Sequence, residues 1–285
     1  MSNHTCLLCP RACRADRAAG DTGFCRAPSA AVVAARLLHF WEEPCISGKN
    51  GSGTVFFSGC NLRCSYCQNI EISRKVKGES FDAQGLAGVY RELISHGAEN
   101  INLVTPTIYA DVIAESLTEK PPVPVIYNCG GYESAYALEL MRGKADIYLP
   151  DLKYSDDTAA ARLSSAPDYF VKAKDAILEM HRQVGSPVFG ENGQLLRGVM
   201  IRHLVLPGYL ENTFGVLDWI AESFAPGEVL LSLMSQFTPN KAGEPSRKLT
   251  AEEYSRAVDY AKALADFEGY FQDPTAAEDG YVPEF

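Results

Sequence analysis

The stretch TVFFSGCNLRCSYCQN, residues 54–69, joins an apolar run to three cysteines spaced C-x3-C-x2-C. Thr54 to Ser58 is rich in β-branched and aromatic residues, the composition of a strand, so Cys60, Cys64 and Cys67 stand in the loop at its carboxyl end. Three thiolates fill three corners of a cubane iron–sulfur cluster and leave the fourth iron open to another ligand. The same residues read otherwise as a structural zinc site or as three small buried hydrophobes. Spacing, the aromatic Tyr66 before the third cysteine, and the strand-then-loop context agree on the cluster.

Downstream, short apolar runs alternate with longer segments of helical period. Strands are predicted at Thr54 to Ser58, Ile101 to Thr105, Val123 to Tyr127, Asp146 to Leu149, Val199 to Leu206 and Val229 to Met234. Helices follow from the stripe Leu86, Val89, Tyr90, Leu93 and Ile94, from Tyr136, Leu138 and Leu140, and from Val171 to Val184 and Thr213 to Phe224. A last helix opens with the capping box Thr250 and Glu253 and carries Tyr254, Val258, Ala261 and Leu264 on one face. Six strands, each followed by a helix, predict an α/β chain with a parallel sheet that can curl into an open barrel. In such sheets ligands bind at the carboxyl ends of the strands. Asn192-Gly193 marks a small flap over Gly190 to Arg197, before the fifth of these strands.

Nearly half of the 285 residues are apolar, enough for a sizeable core, and the formal charge is −10. That balance disfavours nucleic acid and membrane partners, because both demand a cationic excess. The amino terminus has neither a basic start nor a long apolar run, and no segment approaches a spanning helix, so a cytoplasmic location is expected. Nine cysteines in a reducing compartment read as metal ligands. Cys6, Cys9, Cys13 and Cys25, spaced C-x2-C-x3-C-x11-C, can close a zinc sphere or hold a second [4Fe-4S] cluster, and His4 could replace one thiolate. Residues 1–28 have too few large apolar side chains to fold by burial alone. Cys45 and Cys129 stand apart. The expected organisation is a cysteine-rich module over residues 1–50, ending in the Gly-rich connection Ser47 to Gly53, then a barrel over 51–268 and an acidic tail over 269–285. Tyr270, Phe271, Tyr281 and Phe285 in that tail suit a barrel edge or a partner surface.

Beyond the triad the sequence resembles the radical S-adenosylmethionine (SAM) superfamily, and within it the activating-enzyme branch. It is most similar to homologues of pyruvate formate-lyase activating enzyme with an amino-terminal cysteine-rich segment. The likeness covers nearly the whole chain and rests, in order, on CLLCPRAC with GDTGFC, FFSGCNLRCSYCQN, NLVTPT, YNCGGYE, ADIYLPDLKY, EMHRQVG and IRHLVLPG. It implies a partial (β/α)6 radical SAM barrel whose [4Fe-4S] cluster, on Cys60, Cys64 and Cys67, binds SAM through its amino and carboxylate groups. Reductive cleavage then gives a 5′-deoxyadenosyl radical that abstracts hydrogen.

By the same resemblance Tyr66 completes the motif; the family's Gly-Gly-Glu segment at the SAM amino group is absent here, and Thr105 and Thr107 stand in its place as substitutes. Asn128, Gly130 and Gly131 form the SAM-contacting loop, with Asn128 in place of an aspartate at a monovalent cation. Asp151 and Lys153 lie beside SAM, and Arg202 near its carboxylate. Adjacent residues of a strand face opposite sides, so at most one of Arg202 and His203 points into the barrel. The implied partners are a reducing donor such as flavodoxin or ferredoxin and a protein or peptide substrate, in the activase case a glycyl radical enzyme. The alternatives are modification of a small molecule or a side chain without a stored glycyl radical, and a non-enzymatic iron–sulfur electron-transfer or sensing protein.

Overall fold

Six parallel strands form the middle of the sheet, and four further strands extend or fringe it. The computed structural model describes residues 5–240 and 243–273. In chain order the strands are β1 (Ala31–His39), β2 (Ser52–Phe57), β3 (Glu79–Phe81), β4 (Ile101–Val104), β5 (Val125–Cys129), β6 (Ile147–Pro150), β7 (Val188–Phe189), β8 (Leu195–Leu204), β9 (Leu230–Met234) and β10 (Gly269–Phe271). They lie in the order β10-β9-β8-β6-β5-β4-β2-β1-β3, with β7 paired to β8. Every pair from β2 to β9 along that path is parallel, as six strands with helical crossovers require.

The helices are α1 (Pro44–Ser47), α2 (Ile70–Arg74), α3 (Ala83–Ser95), α4 (Ala110–Ser116), α5 (Ala135–Met141), α6 (Asp157–Ser164), α7 (Tyr169–Val184), α8 (Leu210–Ser223) and α9 (Ala251–Leu264). Each strand has two faces, and the period of two assigns them. Leu103, Tyr127, Tyr148, Val199 and Leu231 join the large core with Leu86 and Val89 of α3, Leu138 of α5, Met180 of α7 and Val216 of α8. Ile126, Ile147, Leu149, Met200 and Leu230 turn the other way and close on Cys45 and Ile46 of α1. The short helix α1 is thus a plug on the inner face of the sheet, with Pro at its start and both apolar side chains buried.

The structure differs from the sequence reading in several places. The apolar stretch Ala30 to Phe40 contains β1, which pairs antiparallel with β2. The boundary expected at residue 50 therefore falls between two strands of one sheet. Tyr270 and Phe271 belong to β10, which adds in parallel to β9, so the first residues assigned to the tail extend the sheet. His4, Tyr281 and Phe285 lie outside the described residues. The fifth of the expected strands begins early, at Leu195, because its first residues pair with β7 in a hairpin around Gly193, whose φ is +78°. In α5 the buried stripe is Ala137, Leu138 and Met141, while Tyr136 is exposed, since a spacing of two cannot stay on one face of a helix. The capping box of α9 forms in full, but Leu264 at its end is exposed. No helix among the described residues is long and apolar enough to cross a membrane.

Candidate functional site

The loop that leaves β2 is pinned on all sides before it presents its thiols. Gly59 turns with φ +92° and donates to the Ile72 carbonyl at 2.8 Å. A Cβ there would stand 3.0 Å from the Cys25 carbonyl oxygen, so glycine is what lets the amino-terminal segment pack this close. The backbone N–H groups of Arg63 and Ser65 donate to the Ser164 and Leu163 carbonyls, at 3.1 and 2.8 Å. Asn61 donates to the Tyr132 carbonyl at 2.6 Å and receives Arg11 on its own carbonyl at 3.0 Å. Tyr66 is buried against Phe237, and its hydroxyl meets that of Tyr154 at 2.7 Å.

Cys60, Cys64 and Cys67 all line one cavity of about 250 Å³ at the carboxyl ends of the strands. Cys64 Sγ accepts from Ser164 Oγ at 3.0 Å, Cys60 Sγ accepts from the Leu62 N–H at 3.4 Å, and Cys67 Sγ lies 3.4 Å from Ser73 Oγ. Burial, reinforced by the neighbouring Cys64, pushes the Cys60 thiol up to about 12, and burial raises Cys64 although Lys153 opposes it. As free thiols these two hold their protons at neutral pH, and iron binding would displace them. An all-sulfur donor set on a buried wall fits an iron–sulfur cluster. Among the described residues no three His, Cys, Asp or Glu side chains gather around the position of a single metal ion. A cubane, by contrast, takes each thiolate at a separate iron.

The opposite wall is charged. Arg202 enters from β8 and donates Nε to Asp151 Oδ1 at 2.9 Å, Nη2 to Asn128 Oδ1 at 2.7 Å and Nη1 to Glu42 Oε2 at 3.2 Å. Lys153 closes on the other oxygen of Asp151. Burial alone would raise the Asp151 carboxyl, but Arg202 and Lys153 outweigh it and hold it low. Burial likewise works against the Lys153 cation, and Asp151 with Cys64 overrides it, lifting the ammonium to about 12. Both therefore stay charged. His203 faces away, buried between the Leu152 carbonyl at 2.6 Å and Thr213 Oγ1 at 3.0 Å.

Of the residues expected here, Tyr66, Thr105, Asn128, Gly130, Asp151, Lys153 and Arg202 line the cavity with the three thiols. Thr105 adopts a left-handed conformation, φ +62°. Gly131 does not line the cavity: a Cβ there would lie 2.2 Å from the Asp151 carbonyl oxygen, so its glycine serves the packing of two loops. Cys6, Cys9, Cys13 and Cys25 form a separate set against the same loop. Burial raises Cys9 to about 12 and also raises Cys25, each with neighbouring thiols of the set adding to the effect.

Sequence reasoning missed the segment between β1 and α1. His39, Trp41 and Glu42 line the cavity, and Glu42 also accepts from Asn102 at 2.9 Å and Asn128 at 3.3 Å. Glu43 is partly exposed but tucks its Oε2 into the interior near Arg202, and desolvation is the main cause of its raised carboxyl. The local trace is HFWEEP, residues 39–44, where two acidic residues interrupt an apolar run just before a proline, but nothing in it names their partners.

Fold and site together define an incomplete parallel α/β barrel carrying a three-thiol loop over an acid–base lined cavity, and comparisons with known proteins agree at that level. Residues 46–105, from α1 through Thr105, match the family described as a 4Fe-4S single cluster domain. The fold is that of SuiB from Streptococcus suis, in crystal structures bound to S-adenosylmethionine and to the precursor peptide SuiA. The TM-score is 0.52 for each at 13% identity, covering 75% and 76% of this chain. The matched region spans 48% of the SuiB chain, about half its length. An uncharacterised protein of Methanocaldococcus jannaschii is 28% identical over 273 residues, covering 90% of this chain and 74% of that protein. The 7-carboxy-7-deazaguanine synthase of Methanothermobacter thermautotrophicus is 38% identical over 82 residues, 28% of this chain and 33% of the synthase.

Proposed function

We propose that this chain is a radical SAM enzyme acting on a protein or peptide, with activation of a glycyl radical enzyme as its specific task. The observation that carries the reading is the meeting of Cys60, Cys64 and Cys67 with Asp151, Lys153 and Arg202 on one cavity at the strand ends. When bound, a [4Fe-4S] cluster on the three thiolates supplies the reductive cleavage of SAM to a 5′-deoxyadenosyl radical that takes hydrogen from the substrate. The chain's own residues hold and orient. Lys153 and Asp151 offer a cation and a carboxylate to a ligand carrying both an amine and a carboxylate. Arg202 has every donor nitrogen engaged by protein oxygens, so it fixes Asp151 and Asn128 in place. Gly130 lets a ligand lie against the backbone, and Phe56, Leu62, Leu204 and Met234 exclude water. On this reading the amino-terminal thiols hold a second [4Fe-4S] cluster, one thiolate to each iron, or zinc once they draw together around it.

The peptide substrate is supported by the shared fold with SuiB, whose complex contains a precursor peptide. A small-molecule acceptor is the second reading, favoured by the local match to the deazaguanine synthase. The test is anaerobic: reconstituted protein with SAM and dithionite is assayed for 5′-deoxyadenosine. Candidate partner proteins deuterated at the glycine α-carbon are then supplied. Deuterium in 5′-deoxyadenosine supports the activase reading, transfer from small metabolites alone supports the second, and no 5′-deoxyadenosine at all defeats both.

A further inference from the structure

The net charge of −10 hides a division of the chain into two unlike parts. Residues 1–78 carry ten Arg and Lys against five Asp and Glu, whereas residues 79–285 carry sixteen against thirty-one. The positive part is the one that surrounds the triad loop. Arg74 donates through Nη2 to the carbonyls of Arg63 at 2.8 Å and Cys64 at 3.1 Å, so its charge sits on the outer side of that loop. Arg63 donates to the Phe24 carbonyl and lies 4.7 Å over the Phe24 ring, two residues from the exposed Arg26. Arg63, Arg74 and Arg26 repel one another, and the Arg63 guanidinium is lowered first by burial and then by these two neighbours.

None of the ion pairs among the described residues includes Arg26, Arg63 or Arg74. Next along the chain, Lys75 and Lys77 share the single carboxylate of Glu71, at 3.3 and 3.2 Å, and both ammonium side chains are half exposed or more. Five cations with one acid between them, on a protein that is otherwise strongly acidic, create a local positive potential toward solvent. Opposing fields of this kind set which partner docks and where more than how tightly.

We propose that the face built from Arg26, Arg63, Arg74, Lys75 and Lys77 is the docking surface of an acidic, low-potential electron-carrier protein. The proposal rests on the radical SAM reading, whose chemistry consumes an electron that no group of this chain supplies. Docking there brings the carrier against the outer side of the loop whose inner side presents the thiols. In the transfer step the reduced carrier loses one electron and the centre held by the loop gains it, with no bond made or broken.

The test uses the reconstituted full chain and a purified acidic two-[4Fe-4S] ferredoxin as the probe. Arg26→Glu, Lys75→Glu and Lys77→Glu are combined, leaving Arg63 and Arg74 intact because they brace the loop. Ferredoxin binding should weaken about tenfold or more, and its dependence on salt should flatten. The KM for reduced ferredoxin should rise in step, while turnover driven by dithionite stays unchanged. Lys172→Glu, Lys174→Glu and Arg182→Glu combined, an equal charge change on α7, should leave all of these as in the wild type. Unaltered ferredoxin affinity in the triple variant would overturn the proposal, as would tighter retention of a DNA duplex than of ferredoxin by the wild type. If dithionite yields no 5′-deoxyadenosine, the functional reading fails on its own. Charge-dependent ferredoxin binding measured in the same protein would still support the docking surface.

Discussion

The floor and the rim of the barrel are built by the same face of the same strands, yet they share almost no chemistry. Along β6 and one residue past its end the inward residues run Ile147, Leu149, Asp151; on β8 they run Met200, Arg202; on β5 Ile126 gives way to Asn128. Two residues along a strand advance the chain by about 7 Å without changing the face. The floor closes on Cys45 and Ile46 through apolar contacts, and each side chain there stabilises by leaving water. The rim buries charges whose desolvation is unfavourable, and it is tolerable because Arg202, Asp151, Lys153, Glu42 and Asn128 bind one another. Stability is concentrated at one end of the strands and ligand chemistry at the other, and the boundary between them is one pleat wide.

The most severe way to separate the two ends is Cys60→Ala. Formation of 5′-deoxyadenosine should fall to background, while the urea midpoint of the metal-free protein should barely move, because the thiol contributes to the rim alone. Next in size is Arg202→Met, which leaves Asp151 and Glu42 as buried carboxylates without their shared cation. It should cost about 4 kcal/mol in urea unfolding and weaken SAM binding in a direct titration. A loss below about 1 kcal/mol would mean that water enters the rim and solvates both carboxylates without Arg202.

The floor responds to Ile46→Ala. A cavity left inside the plug should cost about 3 kcal/mol, with the SAM dissociation constant unchanged. Impaired SAM binding there would join floor and rim into one unit. The smallest effect concerns the reverse side of β8, where burial, only partly offset by the Leu152 carbonyl, lowers the His203 imidazole to about 4. An imidazole depressed from its unfolded value of about 6.5 contributes stability above that pH and loses it as pH falls toward 4. Wild-type stability should drop by about 2 kcal/mol more than that of His203→Gln between pH 7.5 and pH 5, read by urea midpoints.

The comparison also explains what the sequence made legible. Elements that bury a whole face announce themselves by period: the central parallel strands and α3, α7, α8 and α9 follow the spacing of their apolar residues. The triad loop was readable because its ligands are close together in the chain. The linker residues Glu42 and Glu43 were not, since their partners Asn102, Asn128 and Arg202 lie on three separate strands. The same reason hid the rest. α1 and β10 are four and three residues long, too short to carry a period, and only the inner face and the edge of β9 make them regular. Gly131 looked like part of a ligand loop because a glycine required by a neighbouring carbonyl cannot be told from one required by a ligand.

The plug has a consequence for how the chain reaches this shape during synthesis. Cys45 and Ile46 are translated early, but the strands that cover them, β5, β6, β8, β9 and β10, emerge one after another until Tyr270 supplies the last contact. Through most of translation the nascent barrel has its seal before it has its walls. The seal is two apolar side chains on a single turn that has nothing yet to hold it helical. These are contacts of very high sequence separation, which slow the closing step and leave an adhesive surface uncovered meanwhile. The interval between the ribosome releasing β2 and releasing β10 is therefore the period in which the growing chain is most open to misassembly.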